Sequence, residues 1–167
     1  MSERSAAPGE LALVESLVNT LDIESGADAL DTADGRDRFG LTEDEVAGAR
    51  ELRESLRAAL LAHAGHSPHA SVTPLDDLLA SAPLRVTVDT ADGSAGLAPA
   101  GAARPLLSRV AAAIAGSLVE GTWPRLKACE APTCHWAYYD RSPAGRGRWC
   151  SMQVCGARAK MRRYRAK

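Results

Sequence analysis

The chain has 167 residues, 46% of them apolar but with a single Phe, and a formal net charge of −1. That length suits one domain of ordinary size, or one domain with a small appended module; the shortage of Phe leaves the core to Leu, Val and Ala, which favours packed helices. No stretch approaches the ~18 consecutive apolar residues of a membrane span, and "MSERSAAPGE" puts charges and Pro-Gly where a secretion signal needs an apolar run. A soluble cytoplasmic protein with reduced thiols is expected, with no membrane partner.

The first helix is expected after Pro8, where Leu11, Val14, Leu17, Val18 and Leu21 recur at three- and four-residue spacing. "DIESGADALDTADGRDRFG" is rich in Asp and Gly and reads as a loop with room for a short helical turn. Thr42 and Glu45 form a capping-box pair, and Val46, Ala49, Leu52, Leu56 and Leu60 lie along one face of a helix running to about Ala62, with Glu51, Glu54 and Arg57 spaced to face water and Gly65 ending it. Thr73-Pro74 restarts a helix as N-cap and first residue, carrying Leu75, Leu78 and Leu79 up to Pro83. "LRVTVDT" alternates Leu84, Val86 and Val88 with polar residues as a half-buried strand does, and Asp92-Gly93 turns it toward a return strand near "GLAP". A last helix of this body spans roughly Ala103 to Glu120, with Leu106, Val110, Ile114 and Leu118 on its apolar side.

Gly121 and Pro124 then punctuate the chain where the charge changes sign. From Arg125 onward there are eleven Lys and Arg against Glu130 and Asp140, a balance of +9; the preceding residues hold nine against nineteen acids, a balance of −10. The division expected is an acidic, mainly helical regulatory domain over 1–122 and a basic module over 123–167. Such asymmetry suits a polyanion-binding tail on an acidic body, or two regions that attract one another.

The basic module holds all four cysteines, "CEAPTC" (Cys129, Cys134) and "CSMQVC" (Cys150, Cys155), spaced C-x4-C-x15-C-x4-C. Two close pairs separated by a longer excursion bring four thiolates to one point, where they satisfy a tetrahedral Zn2+ and leave no open position for a catalytic water. An iron-sulfur cluster or a thiol switch draws on the same residues. "HWAYYD" is β-prone, and "RSPAGRGR" is a turn leading to a second strand at "RW", so a hairpin is expected between the two pairs. Cys150 and Cys155, five residues apart, would sit ~140° apart around a helix interior. Cys150 is therefore expected before a helix capped by Ser151, and Cys155 in its first turn. Knuckle, hairpin and helix make a treble-clef-like module, and its few apolar side chains leave the metal to supply folding free energy. The fold expected is α+β: mainly α with a small β-hairpin, then this zinc module.

"RWCSMQVCGARAKMRRYR", with "CEAPTC" and "WAYYDRSPAGRGRWC" upstream, resembles the CGNR zinc-finger family of bacteria, described as stress-induced transcription regulators. The family's N-terminal part often begins with an apolar helix followed by Asn-Thr, as in "LALVESLVNTLD", which extends the resemblance over essentially the whole chain. It implies one structural zinc at Cys129, Cys134, Cys150 and Cys155 and a role in DNA binding. The naming tetrapeptide departs from the family's, since Cys155-Gly156-Ala157-Arg158 has Ala where Asn is expected.

Arg158, Arg162 and Arg165 recur on one face of the terminal helix, flanked by Lys160, Arg163 and Lys167, with Met161 and Tyr164 expected to pack toward the knuckle. Arg146 and Arg148 add charge from the preceding loop. This set suits phosphate contact, with Arg to guanine the specific contact available; a solubilising helix end is the plainer reading. Trp123, Trp136, Trp149, Tyr138 and Tyr139 are expected to form a small core. His63, His66 and His69 read as surface histidines, His135 as a bystander to a completed shell, and Asp76-Asp77 and Glu43-Asp44 as first-turn acids. No phosphate-cradling loop, nucleophile elbow or His-Glu metal helix occurs, so no enzyme activity is expected. The function expected is DNA-binding transcription regulation, with a small-molecule or protein effector at the N-terminal domain; a homodimer is in keeping with DNA-reading proteins. The alternatives are a zinc knuckle that binds RNA or protein, and a zinc-thiolate redox sensor.

Overall fold

A computed structural model describes residues 5–100 and 105–166. Helix α1 (Leu11–Val18) buries Leu11, Val14, Leu17 and Val18, the stripe that the spacing predicts. Leu21 falls beyond it: α1 stops at Asn19, and Leu21 instead bridges to Asp28. The Asp- and Gly-rich loop carries a 3-10 turn and the short α2 (Ala33–Asp37), and it inserts Leu30 and Phe39 into the core. Gly35 is required there, because a Cβ would lie 1.8 Å from the Ala29 carbonyl oxygen.

Thr42 and Glu45 cap the next helix reciprocally, through a 3-10 turn that leads into α3 (Val46–His63). Ala49, Leu52, Leu56 and Leu60 are buried as the periodicity requires. Arg57 is not on the water face: it is fully buried, because α3 is covered on more than one side and its guanidinium finds acceptors there. The N-cap expected at Thr73 is also displaced. Helix α4 (Leu75–Leu79) is preceded by Pro74, while the Thr73 hydroxyl donates to Glu51 and its carbonyl accepts from Ser55, tying the linker to α3.

Strands β1 (Leu84–Val88) and β2 (Ala95–Pro99) pair antiparallel, Leu84 opposite Pro99 and Val88 opposite Ala95. Val86 and Val88 are 69% and 61% exposed, so this hairpin is not half-buried by alternation; its β2 side leans on α5 (Leu106–Val119) and the alternate side chains of β1 face outward. Helix α5 buries Leu106, Val110 and Ile114, but Leu118, expected on the same side, is 58% exposed near the helix end. Ala103, the expected start of this helix, lies outside the described residues, as does Lys167.

A 3-10 turn over Trp123–Arg125 leads into β3 (Leu126–Ala128), which pairs antiparallel with β4 (Ala137–Tyr139). Leu126, Ala128 and Ala137 join the core built by α1, α3 and α5, with Tyr139 packed against it, while Tyr138 on the opposite face packs with the cysteines. The two-residue period of the strands thus serves two cores at once. The architecture is α+β with two small antiparallel strand pairs, and no helix among the described residues is long and apolar enough to cross a membrane.

Candidate metal centre

Strand β3 delivers Cys129, and β4 returns the chain after Cys134. The first cysteine pair is therefore the loop of the β3–β4 hairpin. The Cys129 amide donates to the Trp136 carbonyl at 2.9 Å, and the amides of Cys134 and His135 both donate to the Ala131 carbonyl, at 2.9 and 3.2 Å. His135 takes a left-handed φ of 45°, the reversal that lets the chain turn back, and its Nδ1 lies 3.0 Å from the Cys129 carbonyl oxygen. The hairpin expected between the two pairs is not formed. The β-prone segment pairs with the three residues ahead of Cys129, and no strand forms at Arg148-Trp149.

The excursion from Asp140 to Gly147 is instead wrapped around internal charges. Lys127 and Asp140 are both buried, with Nζ 3.0 Å from the carboxylate, which also accepts from the amides of Ser142 at 3.0 Å and Gly147 at 2.7 Å. Burial opposes the Asp140 charge, but the hydrogen bonds from Ser142, Lys127 and Gly147 outweigh it and hold the carboxyl well below the usual carboxylate range. Arg125 donates to the carbonyls of Asp140 and Ser142. Two of the cations counted in the basic tail are therefore structural.

Cys150 follows this loop and precedes the Ser151 cap, whose hydroxyl accepts from the Val154 amide. Met152–Gly156 is a single π-helical turn, closed by a bond from the Gly156 amide to the Ser151 carbonyl at 3.0 Å, and it runs into α6 (Ala157–Arg165). Cys155 lies in that first turn, as its offset from Cys150 demands. The wider turn suits a five-residue offset better than an α turn would. The Glu130 amide donates to the Arg148 carbonyl at 3.0 Å and joins the two halves of the site.

Cys134 Sγ lies 3.6 Å from Cys150 Sγ, which lies 3.7 Å from Cys155 Sγ, and all four sulfurs are within 4.8 Å of one another. A tetrahedron with Zn–S bonds of about 2.3 Å has sulfurs about 3.8 Å apart, so four cysteines at this spacing can hold one zinc ion. As thiols they share charge unequally. Hydrogen bonds from Cys134 and Cys150 pull Cys129 down to about 2, the reciprocal bond to Cys129 pushes Cys134 up to about 12, Cys150 is raised by the same two neighbours, and burial raises Cys155. One negative charge is accommodated easily; further ones call for a cation. Among the described residues, these four form the cluster able to hold a metal ion, and His135 and the linker histidines stand outside it.

The groups behind the knuckle are not among the site residues expected from the sequence. Arg57 donates to the His135 carbonyl at 2.8 Å and to the Val18 carbonyl at the end of α1 at 2.9 Å, while Glu54 accepts from its Nε at 3.0 Å. Asn19 spans the same gap: its amide nitrogen donates to the Ala137 carbonyl at 3.0 Å and its oxygen accepts from the Ala137 amide at 2.7 Å. The available signal was the Asn that follows the first apolar helix, since a side chain with both donor and acceptor can continue a strand ladder. The linker histidines are also engaged. His63 is half-buried with Nδ1 2.7 Å from the Leu126 carbonyl and its ring edge-on to Trp123; His69 Nε2 is 3.0 Å from Glu54; and His66 Nε2 is 3.6 Å from Glu130. His63 is therefore no surface residue; it ends α3 against β3.

Helix α6 buries no side chain, and Met161 and Tyr164 are 51% and 79% exposed. They do not reach the knuckle, because the helix leaves the body after Gly156. Lys160, Arg162, Arg163 and Arg165 are exposed. Arg158 pairs with Glu24 at 2.9 Å, and Arg148 with Glu130. Arg146 is exposed and makes no ion pair among the described residues.

Residues 125–167 match the family model of the CGNR zinc finger. Over these residues the chain is similar to a CGNR zinc finger. No curated protein matches the chain. Within the family tetrapeptide, Gly156 is buried, and a Cβ there would lie 3.2 Å from Trp149 Cδ1 and from Met152 Sδ. The glycine lets the helix start close to the tryptophan. Ala157, where the CGNR family has Asn, is exposed at the first residue of α6.

Proposed function

We propose that this protein is a bacterial, stress-responsive transcription regulator that binds duplex DNA through α6, with the four-cysteine zinc as a structural anchor and no catalytic role. The observation that carries the reading is α6 itself: nine residues that bury no side chain and include Arg158, Lys160, Arg162, Arg163 and Arg165, fixed at one end by the cysteine cluster. A helix of this kind can enter the major groove and present guanidinium groups to phosphates and guanine edges. Arg146 and Arg148 add charge from the adjoining loop. The acidic helical body supplies the regulatory input, through an effector or a homodimer contact.

Fluorescence anisotropy with a labelled duplex promoter fragment tests this. Log affinity is expected to fall linearly with log salt concentration, and neutralising Arg162 and Arg163 together is expected to weaken binding and reduce the salt slope by about 2. Binding that ignores salt, or that survives Arg162→Ala with Arg163→Ala, sinks the reading.

A further inference from the structure

Beside the second cysteine pair lies a cleft of about 680 Å³, bordered by the 140–147 loop, Tyr139, Trp149 and Met152. Its volume is that of a small-molecule site, commonly about 300–1,000 Å³. Three guanidinium groups line it. Arg148 lies 5.3 Å from the centre of the Trp149 ring and Arg141 lies 5.1 Å from that of Tyr139, both within cation–π range. Arg141 is held in place by donating to the Ala6 carbonyl at 2.7 Å, whereas Arg146 has no ion-pair partner among the described residues.

The carboxylates nearby are already committed. Asp140 is taken up by Lys127, Ser142 and Gly147, and Glu130 by Arg148. The wall is also rigid, since a Cβ on Gly147 would lie 2.9 Å from the Asp140 carboxylate and the loop carbonyls are held by Arg125. The cleft therefore combines an aromatic, apolar interior with a cationic rim on which Arg148 is paired with Glu130 and Arg141 lies near Glu15, while Arg146 has no ion-pair partner among the described residues.

We propose that this cleft binds a nucleotide, its base against Trp149 and its phosphate on Arg146 and Arg141. A bare phosphate would leave the apolar wall unused, and a neutral aromatic would leave Arg146 unused. A phosphorylated base satisfies both, and aromatic stacking accepts any base. The same chemistry comes from a free mononucleotide or from one unit of a single strand. None of the cleft residues lies on α6, although Arg146 and Arg148 also add charge to the duplex-binding surface, so the proposal goes beyond duplex binding and is tested apart from it by variants of α6.

The test uses the full-length, zinc-loaded chain and follows the indole N–H resonance of Trp149 by NMR during titration with adenosine 5′-monophosphate, a short oligothymidylate and inorganic phosphate in turn. Displacement of that resonance by the mononucleotide or the oligonucleotide is expected, at least tenfold weaker in Arg146→Ala and partly restored in Arg146→Lys, with zinc content unchanged. Response to the oligonucleotide alone assigns the site to single strands; response to both shows that a mononucleotide suffices. The proposal is overturned if neither moves Trp149, if Arg146→Ala binds like the wild type, or if inorganic phosphate reproduces the displacement. Arg162→Ala with Arg163→Ala should leave this titration unchanged, so a failure of duplex binding and a failure of the cleft are read separately.

Discussion

The β3–β4 pair separates two cores that close by different physics. On one face Leu126, Ala128 and Ala137 complete an apolar core with α1, α3 and α5; on the other, Tyr138 packs with four cysteines and two half-buried tryptophans. The first core gains from area removed from water, roughly 1.5–3 kcal/mol for each large side chain fully buried. The second has too few such side chains, and its closure depends on satisfying four thiolates at once. A core made by burial tolerates graded loss, whereas a core made by coordination is lost as a unit. Arg57 and Asn19 join the two, because each bonds to backbone on the knuckle side from the helical side.

Removing the metal should give the largest effect. Structural zinc contributes apparent binding free energies of about 10–16 kcal/mol in small modules, so chelation, or Cys150→Ser, is expected to abolish stoichiometric zinc and the near-ultraviolet signal of Trp136 and Trp149. Far-ultraviolet helicity from α1, α3 and α5 should largely persist; simultaneous loss of all helicity would show that the two cores fold as one. Next is the link itself. Arg57→Ala leaves the Val18 and His135 carbonyls without that donor and removes one partner of the half-buried Glu54, which keeps Arg53 and His69; at about 1–3 kcal/mol for each unsatisfied carbonyl it is expected to cost about 2–6 kcal/mol in denaturant unfolding. It should also lower zinc affinity by roughly 10–100-fold, as loss of a supporting group behind a metal ligand does. Arg57→Lys should not rescue either, since an ammonium cannot reproduce the planar fork.

Leu56→Ala provides the contrast. A fully buried leucine in the helical core should cost about 2–5 kcal/mol while leaving the zinc stoichiometry at one. Asn19→Ala removes two hydrogen bonds to β4 and should cost about 1–3 kcal/mol, with a smaller fall in zinc affinity than Arg57→Ala. The smallest effect is a pH slope. Burial pushes His63 below its ordinary value, so the unfolded chain takes up the proton first; stability should decline as pH falls through about 6.5 and level off below the folded value. His63→Asn should remove part of that slope. His69, lowered chiefly by burial against the pull of Glu54, should retain the rest.

The parts legible beforehand were those whose cause is local. The capping box at Thr42, the stripe of α1 and the position of Cys155 relative to Cys150 follow from spacing within a few residues. The hairpin partner was not legible, because β3 is three residues long with a lysine at its centre, and only the folded loop shows that Lys127 is neutralised by Asp140. Arg57 escaped notice for a related reason: charge at helical spacing suggests water, and its acceptors lie on segments distant in sequence. Met161 and Tyr164 were misplaced in the other direction. Apolar side chains suggest a core, but the helix that carries them leaves the body.

The π turn at Met152–Gly156 acts as a phase key for that helix. Each residue of an α-helix advances the side chains by about 100°, and Cys155 stands at the start of this helix as one of the four ligands, so the number of residues from Cys155 to Arg158 sets the azimuth at which Arg158, Arg162 and Arg165 emerge relative to the metal. Deleting or inserting one residue between Cys155 and Arg158 would preserve every cysteine and every cation, yet swing the cationic side by about a quarter turn. In this module the metal is the origin from which the direction of the helix is measured.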